Sequence, residues 1–296
     1  MDYLSLEKHI KEITATNLLK VETIGKSVLG KNIYAILATQ NPSFPWAILT
    51  AAIHAREHLS CDLLIKLVEQ YIKDNKNYSY NVAFVPLVNP DGATLAINNL
   101  YGIDKLKSQQ LIDINGSKDF SLYKANINGV DLNNNFDANW QTKFTTKTKP
   151  SCQGYYGKFA HSEPETQALV KFTQKLNRFI TISYHLKGEE IYFDFFQPKH
   201  RYNRDQKIAQ VFAQSTGYII KSTQQFSSGG YKDWCVQKLK IPALTIELGK
   251  DEFSHPYPQS QLDDIYAKNC GVFDCLQKSL EIYNMEKTNG THGDGH

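Results

Sequence analysis

The sequence predicts a single α/β/α sandwich domain built on a mixed, mostly parallel central sheet. Three observations lead there. Apolar runs of strand length alternate with segments of helical periodicity from end to end, the pattern of βα units whose helices cover a sheet. Neither an internal repeat nor a linker-like stretch divides the 296 residues. A hydrophobic content of 41% with 21% charged residues suits a globular chain with a packed core. One domain is expected over residues 1–287, followed by a Gly- and His-containing tail, 288–296, expected to be disordered.

Leu4 to Ile13 has helical spacing, and Val21 to Ile24 and Asn32 to Thr39 read as strands joined by a turn at Gly30. Ala47 to Ala52 is an apolar strand, and the helical spacing of Leu63 to Ile72 follows it. Tyr80 to Val88 alternates and ends at Asn89-Pro90-Asp91-Gly92, a turn signal. Leu100 to Asp119 is polar and irregular and reads as a surface excursion. The amide run Asn133-Asn134-Asn135 favours a loop, as does Thr142 to Gly157. Ser162 is the expected N-cap of a helix to Leu176, with Pro164 in its first turn. Phe179 to His185 and Glu190 to Phe195 read as strands, and Arg204 to Ser215 as a helix. Gly229-Gly230 breaks the chain before a helix from Tyr231 to Leu239. Pro242 to Leu248 is a strand, and Gln261 to Tyr283 a closing amphipathic helix.

Composition excludes several classes. A net charge of +3, with lysines scattered, gives no basic surface for nucleic acid. No apolar run approaches the roughly 20 residues of a membrane span. The first residues, MDYLSLEKHIKEI, carry acids and an amphipathic pattern and do not read as a secretion signal. Five cysteines without CxxC spacing suit a reducing compartment, so the chain reads as cytoplasmic. The sequence leaves oligomeric state open.

The chemistry concentrates at strand ends. His54 and Glu57, three residues apart at the mouth of a strand, can turn an imidazole and a carboxylate toward one point. Zn²⁺ accepts both ligand types at about 2.0–2.2 Å, and a catalytic zinc takes three protein ligands and a water. The plain alternative is a surface turn with a hydrogen-bonded histidine. His185 also ends a strand, just before Gly188, where α/β sheets gather their sites, although a lone histidine there is often structural. Glu247 lies in PALTIEL among apolar neighbours. A buried carboxylate without a partner costs several kcal/mol, so it needs a metal-bound water or a nearby lysine.

The order His54-x-x-Glu57, Asn89-Pro90-Asp91-Gly92, Gly129-Val130-Asp131-Leu132-Asn133, Ser162-Glu163-Pro164-Glu165, His185, and Gly230 through Trp234 to Glu247 resembles the zinc metallocarboxypeptidase family of carboxypeptidase A. The resemblance runs from about Gly25 to Tyr283. It implies one Zn²⁺ per chain held by His54, Glu57 and His185, with Glu247 as general base and acid. It implies that Arg56 sits beside the metal and that Lys124 replaces an arginine stabilising the tetrahedral oxyanion.

The departures bear on substrate. The family's Asn-Arg-Asn triplet is here Asn133-Asn134-Asn135, so the arginine that clamps a C-terminal carboxylate is absent, and an amide does not replace a forked ionic contact. Gln225 stands where carboxypeptidase A has its mobile tyrosine. Lys232 stands at the position governing the leaving-side pocket; otherwise it opens a helix and points to solvent. YKANINGVDLN, YHLKGE and GGYKDW resemble the γ-D-glutamyl-diaminopimelate peptidase branch, which implies a zinc peptidase acting on muropeptides. A carboxypeptidase or acyl-amino-acid hydrolase is the alternative, and a catalytically silent peptide-binding protein a third reading. An acid in an apolar strand argues against the last.

Overall fold

A computed structural model describes residues 1–142, 147–222 and 229–290, and these form one eight-stranded sheet with helices on both faces. In chain order the elements are α1 (Tyr3–Thr16), β1 (Lys20–Lys26), β2 (Asn32–Ala38), β3 (Trp46–Ala51), α2 (Leu59–Asp74), β4 (Asn81–Val85), α3 (Pro90–Asn98) and α4 (Lys105–Asn115). There follow α5 (Pro164–Lys175), β5 (Arg178–Leu186), β6 (Glu190–Tyr192), α6 (Lys199–Thr216), β7 (Ile219–Lys221), α7 (Tyr231–Trp234), β8 (Ala243–Leu248), α8 (Leu262–Asn269) and α9 (Val272–Gly290).

The strand order is β1-β2-β4-β3-β5-β8-β6-β7. The central strands β4, β3, β5 and β8 run parallel, and antiparallel pairings join β1 and β2 on one side and the β6–β7 pair on the other. The expected mixed sheet is therefore present. Two-residue side-chain alternation divides its core into two layers. Ala47, Leu49 and Ala51 of β3, with Val82 and Phe84 of β4, join the layer of α1, α2, α6, α8 and α9. Ile48, Ala83 and Val85 face the other layer, with Leu169 and Phe172 of α5 and Tyr231 and Trp234 of α7. Ile180, Ile182 and Tyr184 of β5 and Leu244, Ile246 and Leu248 of β8 belong to the first layer. Alternation therefore turns Ser183, His185, Thr245 and Glu247 to the second face, and with them the polar chemistry.

Several boundaries differ from expectation. Asn89-Pro90-Asp91-Gly92 is not a free turn but the start of α3: Asn89 Oδ1 accepts from Gly92 N at 3.1 Å, and Pro90 occupies the first helical position. The stretch 100–119 is not irregular throughout. It contains α4, capped by Asp104 and stopped by Gly116 at φ 74°. Low apolar content hid this helix, yet its Leu111 is fully buried with Phe120, Tyr123, Ala125 and Ile127 in a satellite core. At α5 the cap position belongs to Glu163 rather than Ser162, whose hydroxyl instead donates to Glu163 Oε1 at 2.7 Å. Strand β6 stops at Tyr192, the short edge strand β7 has no counterpart among the expected elements, and the closing helix is divided between α8 and α9. Residues 288–290 end α9, and 291–296 of the expected tail lie outside the described residues.

Candidate metal centre

Strand β3 ends at Ala51, and Ala52 at φ 50° turns the chain sharply out of the sheet. His54 then opens a single 3₁₀ turn, Ala55–Glu57, which brings residues three apart onto one side. Ser60 pins this turn, its hydroxyl donating to Glu57 O at 2.7 Å and accepting from Ala52 N at 2.9 Å. The Asn89 side-chain amide donates to Ile53 O at 3.3 Å and to Ala125 O at 3.1 Å. One amide thus ties the His54 turn to the loop carrying Lys124.

His185, at the end of β5, completes a buried group with His54 and Glu57 whose ligand atoms all lie within 4.8 Å of one another. Glu57 Oε1 is 2.9 Å from His54 Nδ1, Glu57 Oε2 is 3.2 Å from His185 Nδ1, and the two Nδ1 atoms are 3.1 Å apart. The outer nitrogens face acceptors. His54 Nε2 lies 3.4 Å from Asp131 Oδ1, and His185 Nε2 lies 3.3 Å from Ser183 Oγ. A neutral imidazole carries one proton, so protons on both outer nitrogens leave two Nδ1 lone pairs aimed at each other and at a carboxylate. Such a set of three buried donors is stable around a cation, and two histidines with one carboxylate suit zinc.

Charge is arranged to match. Burial raises the Glu57 carboxyl, but His54 and His185 hold it well below the usual carboxylate range. Asp131 is likewise raised by burial and held low by Lys124, His54 and the amide of Gly154, which donates at 3.0 Å. In the sequence Asp131 stands out only as part of a motif. Its carboxylate stands behind His54, on the side away from Glu57 and His185, and an acid preceding an amide-rich loop was the available sequence signal.

Parallel register sets Glu247 of β8 directly beside His185 of β5, on the same face. The residue is half-buried and forms no ion pair among the described residues, so the lysine-paired alternative is not found. Burial first, with His185 pulling down and Glu57 pushing up, leaves this carboxyl raised to about 7. Lys124 Nζ stands 3.7 Å from Asp131 Oδ2, and Arg56 Nη1 donates to Leu122 O at 3.3 Å.

The substrate-side residues are less uniform. Asn133 Oδ1 accepts from Tyr231 N at 3.0 Å, and Asn134 is nearly buried in the 3₁₀ turn Leu132–Asn134. Gly229, at φ 71°, passes so close that a Cβ there would lie 2.5 Å from Asn134 O. Asn135 is structural: its amide donates to Tyr156 O, Phe159 O and Ser162 Oγ. Lys232 does not point to solvent. Its side chain is 5% exposed, with Nζ 2.6 Å from both Asp233 Oδ1 and Asp194 O and 5.6 Å from the Phe195 ring centroid. Gln225 lies outside the described residues.

Comparison with known proteins agrees with this geometry. The zinc carboxypeptidase family profile (Peptidase M14) matches residues 6–271. Gamma-D-glutamyl-L-diamino acid endopeptidase 1 of Lysinibacillus sphaericus is 31% identical over 290 residues, covering 92% of this chain and 71% of the relative. Carboxypeptidase A of Helicoverpa armigera has a similar fold, with TM-score 0.74 and 18% identity over 96% of this chain and 73% of the other. Murein-tripeptide amidase MpaA of Escherichia coli matches with TM-score 0.54 and 21% identity over 90% and 91% of the two chains. With its two histidines and glutamate gathered at the strand ends, and a profile match over most of its length, the chain belongs to the zinc carboxypeptidase family.

Proposed function

We propose that this zinc peptidase hydrolyses the amide joining a γ-D-glutamyl residue to a diamino acid in cell-wall muropeptides. The observation that carries the reading is the likeness to the Lysinibacillus endopeptidase across 92% of the chain. Asn134 supports it, since an amide in place of a guanidinium removes the grip on a free C-terminal carboxylate. His54, Glu57 and His185 would hold zinc, which supplies Lewis-acid polarisation of the scissile carbonyl and acidifies the attacking water.

Glu247 takes one proton from that water as the oxygen–carbon bond forms, and returns it to the amine as the carbon–nitrogen bond breaks. Lys124 and Arg56 hold the oxyanion, with Asp131 keeping Lys124 near the site. In this reading Lys232, whose ammonium is held by Asp233 and Asp194 O, is the cation that an acidic leaving-group side chain such as that of diaminopimelate would meet. Asn133 and Asn134 complete the substrate contacts in this reading. Five unpaired cysteines support a reducing, cytoplasmic setting, and no described helix is long and apolar enough to cross a membrane.

The test is mass spectrometry of zinc-loaded enzyme with L-Ala-γ-D-Glu-diaminopimelate and with ordinary α-linked peptides. Release of free diaminopimelate supports the reading. Faster release of ordinary C-terminal residues would place the enzyme among the carboxypeptidases.

A further inference from the structure

The face that carries His185 and Glu247 continues one strand further. Antiparallel register between β6 and β8 sets Glu190 opposite Glu247 and Tyr192 opposite Thr245. Registered neighbours share a face, and Ile191 and Ile246 both belong to the opposite layer. His185, Glu247 and Glu190 therefore form a row across three adjacent strands, with Ser183, Thr245 and Tyr192 as the row behind. Strand spacing puts Glu190 about 4.8 Å beyond Glu247 and about twice that from His185.

Glu190 is a held carboxylate with 24% of its side chain exposed. The Tyr192 hydroxyl donates to its Oε2, which fixes its orientation along the face. The other oxygen, Oε1, already receives an ammonium: Lys221 Nζ from β7 lies 3.4 Å away, on a side chain 49% exposed. The position thus accepts a primary ammonium at the end of a flexible stem, and its present occupant is free enough to swing aside.

We propose that Glu190 is a specificity residue that receives the side-chain ammonium of the leaving diamino acid. This rests on the proposed γ-D-glutamyl reading and names what selects its leaving group. Glu247 returns the proton to the leaving nitrogen, so that nitrogen lies over the Glu247 position. The side chain of the departing residue starts one carbon away. A four-carbon stem directed along the row brings its ammonium to the next carboxylate, which is Glu190. With diaminopimelate the same end of the side chain also bears a carboxylate, the group assigned to Lys232.

The test uses zinc-loaded wild type and variants with two peptides, L-Ala-γ-D-Glu-L-Lys and its norleucine counterpart, which keeps the stem and lacks the ammonium. The readout is the ratio of kcat/KM for the lysine peptide to that for the norleucine peptide. Any disturbance of Glu247 moves both rates together and leaves the ratio. The wild-type ratio should be on the order of tenfold to a hundredfold, the range of a charge-assisted contact. Glu190→Gln should bring it close to one, and Glu190→Asp should keep part of it. Lys221→Ala, which removes the competing ammonium at an exposed position, should raise it. This last variant decides the matter if the Glu190 variants do not fold. A wild-type ratio near one, or a ratio unmoved by the substitutions, overturns the role of Glu190 while leaving the γ-D-glutamyl reading intact. Absence of cleavage of both peptides and of L-Ala-γ-D-Glu-diaminopimelate overturns that reading and the inference with it.

Discussion

At the scale of single residues, the oxygens behind the two histidines suit rings that carry their protons outward. Asp131 and Ser183 face the outer nitrogens of His54 and His185, so the inner nitrogens present lone pairs. His54→Ala and His185→Ala should each lose most bound zinc, measured by metal analysis of purified protein. Asp131→Asn should keep zinc at stoichiometric loading but weaken it by about 10–100-fold in a chelator competition, the usual effect of losing a carboxylate behind a ligand. Glu247→Gln should retain zinc and the thermal transition while kcat falls by about 10²–10⁴, since an amide cannot accept the water's proton. An unchanged kcat would assign the base elsewhere. That His54, Glu57, His185 and Glu247 gather at one end of the sheet was legible because His-x-x-Glu, a second strand-end histidine and an acid in an apolar strand are local signals. Asp131 was not, because its task depends on a ring that the chain brings to it from 77 residues away, a separation that no short pattern encodes.

At the scale of elements, α3 and α4 carry more than their composition announces. Both begin at side-chain caps in polar sequence, so hydrophobic periodicity gives weak notice of them. The central strands were legible for the opposite reason, whereas the short edge strand β7 was not. The runs Trp46–Ala51 and Ala243–Leu248 are short, mostly apolar and buried almost throughout, which is the composition of a central parallel strand. Asn89 serves two elements at once, capping α3 and bridging the His54 turn to the Lys124 loop. Asn89→Ala should therefore cost more than the roughly 1 kcal/mol of a lost cap, because two buried carbonyls also lose their donor at about 1–3 kcal/mol each. Chemical denaturation should show this loss. Zinc affinity should fall in the same variant, since the turn bearing two ligands loses its brace.

At the scale of the whole molecule, acidity and stability are linked through Glu165 in the first turn of α5. It is fully buried, accepting from Val28 N and Asn126 Nδ2 at 3.2 Å each, and so connects α5, the β1–β2 turn and the loop before the 3₁₀ turn Leu132–Asn134. Burial, with Asp91 nearby, raises its carboxyl from 4.5 to about 7. The folded state thus holds a proton that the unfolded chain releases near 4.5, and this contribution to stability is lost as pH rises toward 7. Its size is on the order of 3 kcal/mol. His58 and His255, lowered to about 4 by burial, act in the opposite sense between pH 4 and 6.5, so wild type alone is not diagnostic. The stability of Glu165→Gln relative to wild type should grow from pH 4.5 to 7 and then level off, read from unfolding midpoints across that range. The alternation of β5 and β8 has a further consequence, for descent rather than for chemistry. One set of positions builds the apolar layer, and the interleaved set, from Ser183 to Glu190, borders the reacting groups. A lineage can therefore exchange Thr245, Tyr192 or Glu190 and acquire a new diet while the residues that hold its sheet together go untouched.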